Sequence, residues 1–259
     1  MSVIESEFSV DPPLPIKTNP IGYEFADDIH FDPQVHFDLE PPEFVKNLKF
    51  ESVPFENIHT IKDDGFAYTQ PFKILSEEGV RVARETLEKN MKLSQASARA
   101  TKYVRGLGYV SYFHRELAHC KELNQLLTQI CTGNCTPNGV QVAPHSQTMN
   151  ISHCNYGEIS TGRPVDKWHI DSVDLVLVII LSDTSDMVGG ELKVLQVPDA
   201  SGNYFNTLIE SGIPDEALIE TVKYTSAGYG IFMQGSKILH TVSEVLAARE
   251  PRISLVNSC

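Results

Sequence analysis

Runs and alternations of apolar residues divide this chain into helical and extended segments. Between residues 76 and 91 the apolar positions recur at helical spacing, which predicts an amphipathic helix with one buried stripe. Ser76 precedes two glutamates, so it suits the N-cap position of that helix. A second stripe predicts another helix from Glu116 to Cys131. The apolar positions of the first helix are Val80, Ala83, Leu87 and Met91.

The rest of the chain is dominated by extended patterns. A strand is expected at Gly65–Tyr68, and residues 140–156 alternate in a way that also favours a strand. The β-branched and leucine run at 172–181 is typical of a buried strand. Shorter strands follow the glycine turns at 189–190 and 228–230, and a last strand begins at Arg252. These patterns predict a mainly β domain with a few supporting helices.

The domain organisation follows from changes in composition along the chain. Residues 1–55 are rich in proline and acidic residues, which predicts an N-terminal arm that is extended over the domain or partly disordered. Residues 56–259 then form a single domain, a plausible length for one β domain. Residues 199–220 form a long insertion between core strands, and we expect this insertion to be a lid.

Charge and composition exclude several classes of partner. The chain has 34 acidic and 21 basic residues, with a formal net charge of -13, which disfavours nucleic acid and anionic membrane surfaces. No apolar run is long enough for a transmembrane helix, and no secretory signal is visible, so a cytoplasmic location is expected. The five cysteines follow no disulfide spacing and should be reduced thiols.

Three side chains are candidates for a metal site. His169 and Asp171 are two residues apart, and residues at this spacing project from the same face of a strand. His240, on a later strand, would complete two imidazoles and one carboxylate, a set that binds ferrous iron and leaves coordination positions open. A lone histidine is more often a structural core residue, so the prediction depends on the motifs around these positions.

Those motifs, taken in order, resemble the iron(II)/2-oxoglutarate-dependent dioxygenase superfamily. They are Trp168-His169-Ile170-Asp171, Gly189-Gly190-Glu191-Leu192, the glycine-flanked approach to His240, and Arg252-Ile253-Ser254. The resemblance implies an α+β, mainly β fold whose core is a double-stranded β-helix, a jelly roll similar to that of cupins. Helices would buttress this core, and the metal would lie at its mouth.

The resemblance also implies a set of cofactors and residues that hold them. Ferrous iron would bind His169, Asp171 and His240, with 2-oxoglutarate as cosubstrate, dioxygen as oxidant and ascorbate supporting activity in vitro. Arg252 would pair with the distal carboxylate of 2-oxoglutarate, because a guanidinium matches a carboxylate bidentately and stays charged when buried. Ser254 and Asn150 are further candidates for this cosubstrate. Arg249 is the competing arginine, but Pro251 separates it from the strand.

The substrate is expected to be a small molecule. The form of the chain loosely resembles fungal oxygenases that tailor small amino acids in specialised metabolism, so a free amino acid is a candidate. Arg163 lies in the polar loop before the metal strand and would suit a substrate carboxylate, and Ser152 and Trp168 are further candidates for substrate contact. Family members that halogenate lack the carboxylate at the position of Asp171. Its presence therefore favours hydroxylation, desaturation or ring closure.

Two other functions remain open at this point. The chain could be a catalytically idle jelly-roll binding module, or a metal-dependent isomerase or lyase that does not use 2-oxoglutarate. Arg252-Ile253-Ser254 distinguishes the second alternative, because an enzyme without this cosubstrate does not need a clamp for its far carboxylate. The sequence carries no prediction of the oligomeric state.

Overall fold

A computed structural model describes residues 29–47, 66–95, 100, 102–132, 141–195 and 216–259. The helices within these ranges are α1 (Pro33–His36), α2 (Glu77–Lys89), α3 (Leu107–Val110), α4 (Tyr112–His119), α5 (Lys121–Thr132) and α6 (Thr148–Ile151). Single 3-10 turns occur at Met91–Leu93 and Glu216–Leu218. The strands are β1 (Val45–Asn47), β2 (Phe66–Thr69), β3 (Phe72–Lys73), β4 (Ser94–Gln95), β5 (Lys102–Val104), β6 (Ser152–Gly157), β7 (Asp166–His169), β8 (Val176–Ile180), β9 (Val188–Gly189), β10 (Leu192–Leu195), β11 (Ile219–Val222), β12 (Tyr229–Met233), β13 (His240–Val242), β14 (Val245–Ala247) and β15 (Arg252–Ser258).

The core consists of two antiparallel sheets that pack against each other. The larger sheet has the order β1-β2-β12-β8-β15-β6-β5-β4, with β3 also beside β12, and the smaller has the order β11-β10-β13-β7. Side chains from both sheets share one apolar cluster, in which Val176 and Met233 of the larger sheet meet Leu192 and Val222 of the smaller. Strands that are distant in sequence are neighbours in each sheet, as in a jelly roll. The prediction of an α+β jelly-roll core is confirmed.

Helices cover the other face of the larger sheet. Buried residues of α2, α4 and α5 share one cluster with Leu177 and Ile179 of β8, whose side chains alternate with those that face the smaller sheet. Helix α2 begins as expected, because the Ser76 hydroxyl accepts a hydrogen bond of 3.0 Å from the Gly79 amide. The predicted buttress of helices is therefore present, and the apolar stripe at Ala83 and Leu87 is buried.

Three predicted elements differ from those in the structure. The second helix is broken at Cys120 into α4 and α5, and the side-chain amide of Asn124 donates to the Ala118 carbonyl near the end of α4 and to the Cys120 carbonyl. The strand expected at 172–181 begins only at Val176, because residues 172–174 bend. The strand expected across 140–156 is confined to 152–157, and a helical turn occupies 148–151.

The N-terminal arm and the lid are described only in part. Residues 29–47 of the arm pack on the domain, where Phe31 and His36 make edge contacts with Phe113 of α4 and β1 pairs with β2. Residues 1–28 and 48–55 of the arm lie outside the described residues, and so do residues 199–215 of the predicted lid. The domain boundary at 55 and the lid remain predictions. Among the described residues, no helix has the length and apolar character needed to cross a bilayer.

Candidate active site

His169 and His240 face each other across two paired strands of the smaller sheet. The register of β7 and β13 places the two residues directly opposite, and their ring centroids are 4.2 Å apart. Directly opposed residues of an antiparallel pair have the closest side chains in a sheet. Two imidazoles that are 71 positions apart in the sequence are thereby brought to one point (240 minus 169).

Backbone carbonyls fix the orientation of both imidazoles. Nδ1 of His169 lies 2.5 Å from the Lys167 carbonyl oxygen, and Nδ1 of His240 lies 2.9 Å from that of Ile238. A carbonyl can only accept, so each Nδ1 carries the proton and donates it. Each Nε2 then presents its lone pair to the space between the rings. This is the arrangement in which metal-binding histidines are held by a second hydrogen bond.

Asp171 provides the third donor from just beyond the end of β7. Its amide donates a hydrogen bond of 2.9 Å to the Gly235 carbonyl, which ties the segment to the turn before β13. One carboxylate oxygen, Oδ1, lies 3.3 Å from Nε2 of His169, and the other, Oδ2, lies 3.6 Å from Nε2 of His240. Gly235 leaves the space for this carboxylate, since a Cβ there would lie 2.9 Å from Cγ of Asp171.

The geometry of these donors fits a single metal ion. One ligand atom from each of the three residues lies within 4.8 Å of the others. Donors bonded to one ion at about 2.1 Å and at right angles would be separated by about 3 Å, so a small contraction is sufficient. Two neutral nitrogens and one carboxylate on one face are the donor set of non-heme ferrous sites. The residues predicted as metal ligands are therefore brought together.

Arg252 is buried at the start of β15 and is held by two hydrogen bonds. Its side chain is 1% exposed, Nε donates to the Gly190 carbonyl at 2.8 Å, and Nη1 donates to the Ser254 hydroxyl at 2.8 Å. Nη2 is buried without a hydrogen-bond partner among the described residues. Gly190 has a φ of +73°, and a Cβ there would lie 2.9 Å from Cδ of Arg252, which explains the second glycine of the Gly-Gly-Glu turn.

The surroundings of Arg252 suit a bound carboxylate. Burial lowers the pKa of Arg252, while Tyr224 and Asp166 act in the opposite direction. The guanidinium carbon lies 5.3 Å from the centre of the Tyr224 ring, and burial raises the pKa of that phenol to about 12. A buried cation whose donor nitrogen has no hydrogen-bond partner is stabilised when an anion pairs with that nitrogen. Ser254 accepts from Arg252, so its own hydroxyl hydrogen remains available to the same ligand.

One cavity joins the metal ligands to Arg252. Its volume is about 360 Å³, and both sheets line it. The volume falls in the range of small-molecule sites. Val176, Val178 and Met233 form an apolar part of the wall, and Asn155 and Ser254 lie near Arg252. Asn155 is opposite Ser254 in the register of β6 and β15, so both project into the cavity.

The other residues predicted from sequence are only partly brought to this cavity. Asn150 lines it from α6 and donates to the Gln147 side chain at 2.9 Å, whereas Ser152 is buried on the opposite face of β6. Trp168 packs with Leu195 and Leu239 outside the cavity. Arg163 lies in an exposed loop and is not among the lining residues.

The competing arginine is also located by the structure. Arg249 is 79% exposed and forms a surface ion pair of 2.8 Å with Asp186. It is not among the residues that line the cavity. Of the two arginines that flank Pro251, Arg252 is therefore the one whose guanidinium lies in the cavity.

Some cavity residues were missed by the sequence analysis. Asp166 lies three positions before His169, a spacing that would place it on the other face of a regular strand. The pairing of β7 with β13 shifts by one residue between these positions, and this bulge turns both side chains into the cavity. Tyr103 and Arg105 of the β5 segment also line the cavity. His153 of β6 lines it beside them. The alternation of side chains along β5 could have indicated that Tyr103 and Arg105 face the cavity, but this strand is only three residues long.

Comparison with known proteins identifies the fold. No family model and no curated protein matches this chain. Among solved structures, it is similar to the non-heme α-ketoglutarate-dependent carbocyclase SnoK from nogalamycin biosynthesis, at a TM-score of 0.51 and 14% identity over 73% of this chain and 78% of that one. The α-ketoglutarate-dependent epimerase SnoN from the same biosynthesis gives 0.48 and 17% over 73% and 76%. SnoN with Fe³⁺, α-ketoglutarate and nogalamycin RO gives 0.46 and 16% over 73% and 77%. The chain thus has a jelly-roll fold of the kind found in a non-heme α-ketoglutarate-dependent enzyme.

Proposed function

We propose that this protein is a non-heme iron(II) and 2-oxoglutarate-dependent oxygenase that oxidises a small molecule. One observation carries the proposal. The three metal donors and the buried, partly open guanidinium of Arg252 line the same cavity. A metal site alone would fit many reactions. A cation buried beside it specifically suits a ligand that chelates the metal at one end and carries a carboxylate at the other.

The charges of iron, Asp171, 2-oxoglutarate and Arg252 balance one another, and the buried Asp166 beside His169 is a further carboxylate outside this sum. Ferrous iron and the Asp171 carboxylate together carry one positive charge when both imidazoles are neutral. A 2-oxoglutarate dianion leaves one negative charge, which the guanidinium of Arg252 neutralises. Burial makes this match important, because an unpaired charge in a low-dielectric site is costly. The same balance would not hold for a metal isomerase or lyase that binds no dicarboxylate.

The residues of this chain hold and orient the reactants. Iron with 2-oxoglutarate, when bound, supplies oxidising power from dioxygen, and this chemistry belongs to the cofactor. His169, Asp171 and His240 restrict the metal to one face and leave the other face open to ligands. Arg252 and Ser254 fix the far end of the cosubstrate. The apolar wall of Val176 and Val178 excludes water from the substrate side.

The reaction type and substrate follow as finer proposals. Because the carboxylate of Asp171 occupies one metal position, we favour hydroxylation, desaturation or ring closure of the substrate. The cavity volume of about 360 Å³ fits a small molecule, and a free amino acid from specialised metabolism remains a candidate.

Conversion of 2-oxoglutarate to succinate tests the function. Purified protein would be incubated with ferrous iron, 2-oxoglutarate, ascorbate and air, and succinate would be quantified. We expect slow, iron-dependent succinate formation, because enzymes of this type turn over partly without substrate. Asp171→Ala should abolish it, whereas Asp186→Ala should retain it, because Asp186 pairs with Arg249 at the surface. Equal rates for these two variants would contradict the proposal.

A further inference from the structure

The cavity has two ends that are defined by the register of the larger sheet. Arg252 is opposite Gly157 in the pairing of β15 with β6, and Val256 is opposite His153. Val256 is four residues after Arg252 on β15, so the two residue pairs are about 13 Å apart along the strand. Both Val256 and His153 line the cavity. The end at His153 is therefore far from the carboxylate clamp at Arg252.

The pairing of β5 with β6 shows which residues of β5 lie at each end of the cavity. Lys102 is opposite Tyr156, and Val104 is opposite Cys154, so Arg105 follows at the level of His153. At the other end of the same segment, Ala100 forms a bridge with Asp166. Strand β5 leads away from this bridge toward Arg105, so Arg105 and Asp166 lie toward opposite ends of the cavity wall.

The charged side chains of the cavity are divided between the two ends. Asp166 and Asp171 are its carboxylates among the described lining residues, and both lie near the metal ligands, since Oδ2 of Asp166 is 3.8 Å from Nε2 of His169. At the far end the basic lining residues are Arg105, His153 and His145, and His145 is placed there by the hydrogen bond of 2.9 Å from its amide to the Ser258 carbonyl. This end offers a permanent cation and two imidazoles that can donate hydrogen bonds.

Arg105 is positioned at the mouth of this end. Its guanidinium carbon lies 5.7 Å from the centre of the Tyr103 ring, a distance typical of a cation held over an aromatic face. The residue is exposed, so it can meet a ligand that enters from solvent. Across the larger sheet from Arg105, the cavity wall consists of Val256 of β15 and of Val178 and Val176 of the adjacent β8. The cavity therefore passes from a cationic mouth over an apolar floor to the metal ligands.

We propose that the far end binds the carboxylate of the substrate, with Arg105 as the main contact and His153 and His145 as further donors. The substrate class is then a small carboxylic acid with an apolar chain, a class that includes amino acids. The carboxylate anchors one end, and the chain lies over the valines with a carbon directed at the metal. That this ligand is the substrate rests on the proposed function, but its binding does not.

The experiment measures binding of hexanoate to metal-free protein by ligand-observed NMR, with hexylamine as the matched cation. Wild type should bind hexanoate in preference to hexylamine. Arg105→Gln should weaken hexanoate binding about tenfold, the lower part of the range for a charge-assisted hydrogen bond, because Arg105 is exposed. Arg163→Gln is the matched control and should bind like wild type, because Arg163 does not line the cavity.

Each other outcome overturns the proposal. Unchanged affinity in Arg105→Gln would mean that hexanoate binds elsewhere, for example at Arg252. Equal or tighter binding of hexylamine would mean that the far end does not select anions, and so would a failure of wild type to bind hexanoate at about 10 mM. Failure of the proposed function would instead abolish succinate formation in wild type and leave hexanoate binding intact.

Discussion

Gly235→Ala tests whether the space beside Asp171 is needed for metal binding. The new Cβ would overlap Oδ2 of Asp171 and lie 2.9 Å from its Cγ, and ordinary contact begins near 3.4 Å, so the carboxylate must move by more than 0.5 Å (3.4 minus 2.9). Ligand positions in a metal site are accurate to about 0.2 Å. Changes beside metal ligands cost about 10–100-fold in affinity. Because this displacement exceeds the tolerance, we expect a loss near 100-fold.

The assay is an anaerobic titration of ferrous iron with a competing chelator. Gly230→Ala is the control. Gly230 lies on β12, and its new Cβ would collide with the Ile74 side chain in the hydrophobic core, away from the metal ligands. Both variants should lose stability from overpacking, by about 1–3 kcal/mol. Only Gly235→Ala should lose metal affinity. If folded Gly235→Ala bound iron within threefold of wild type, the steric argument would be wrong.

Three further predictions concern the cosubstrate, the helical layer and one helix cap. Arg252→Gln should weaken binding of 2-oxoglutarate by about 30-fold or more, measured by calorimetry, whereas Arg249→Gln should not; equal effects would contradict the clamp. Burial lowers the pKa of His114 to about 3, so the unfolded chain binds one more proton between about pH 6.5 and 3. The free energy of unfolding should therefore fall by up to about 1.4 kcal/mol per unit as the pH decreases through this window. His114→Leu should flatten this slope in urea titrations; an unchanged slope in that variant would refute the assignment. Ser76→Ala should lower the unfolding free energy by about 1 kcal/mol through loss of the bond to Gly79, and no change would show that the cap is dispensable.

The sequence was sufficient to predict that His169, Asp171 and His240 converge because its motifs lie on paired strands. His169 and Asp171 are close in the chain, and the resemblance located His240 and Arg252 in the same fold. The structure added the reason for convergence, which is the direct opposition of His169 and His240 in the register. It also added the orphaned Nη2 of Arg252, which no sequence pattern could indicate.

The substrate side was less predictable because it depends on small shifts in register. The helical turn at 148–151 places Ser152 on the buried face of β6 and His153 in the cavity, and a shift of one residue reverses every side chain of a strand. The bulge in β7 brings Asp166 inward in the same way. Arg105 depends on tertiary pairing of β5 with β6, which a three-residue strand does not reveal.

His114 shows the same limit for the core. His114 precedes the helix predicted from Glu116, and no sequence pattern indicates that it is fully buried in α4. Neither ring nitrogen has a hydrogen-bond partner among the described residues. The burial arises from packing of α4 beneath the larger sheet beside Phe113, whose ring centroid is 5.5 Å away. Only the three-dimensional arrangement of the helices determines this position.

Anaerobic titration with ferrous iron and 2-oxoglutarate tests the convergence of these four side chains most directly. We predict one iron per chain and a weak visible charge-transfer band that appears only when 2-oxoglutarate chelates the metal. Asp171→Ala should remove the band, and Arg252→Gln should require far more 2-oxoglutarate to form it. A wild-type protein that binds no iron, or binds it without any band at saturating 2-oxoglutarate, would contradict the account.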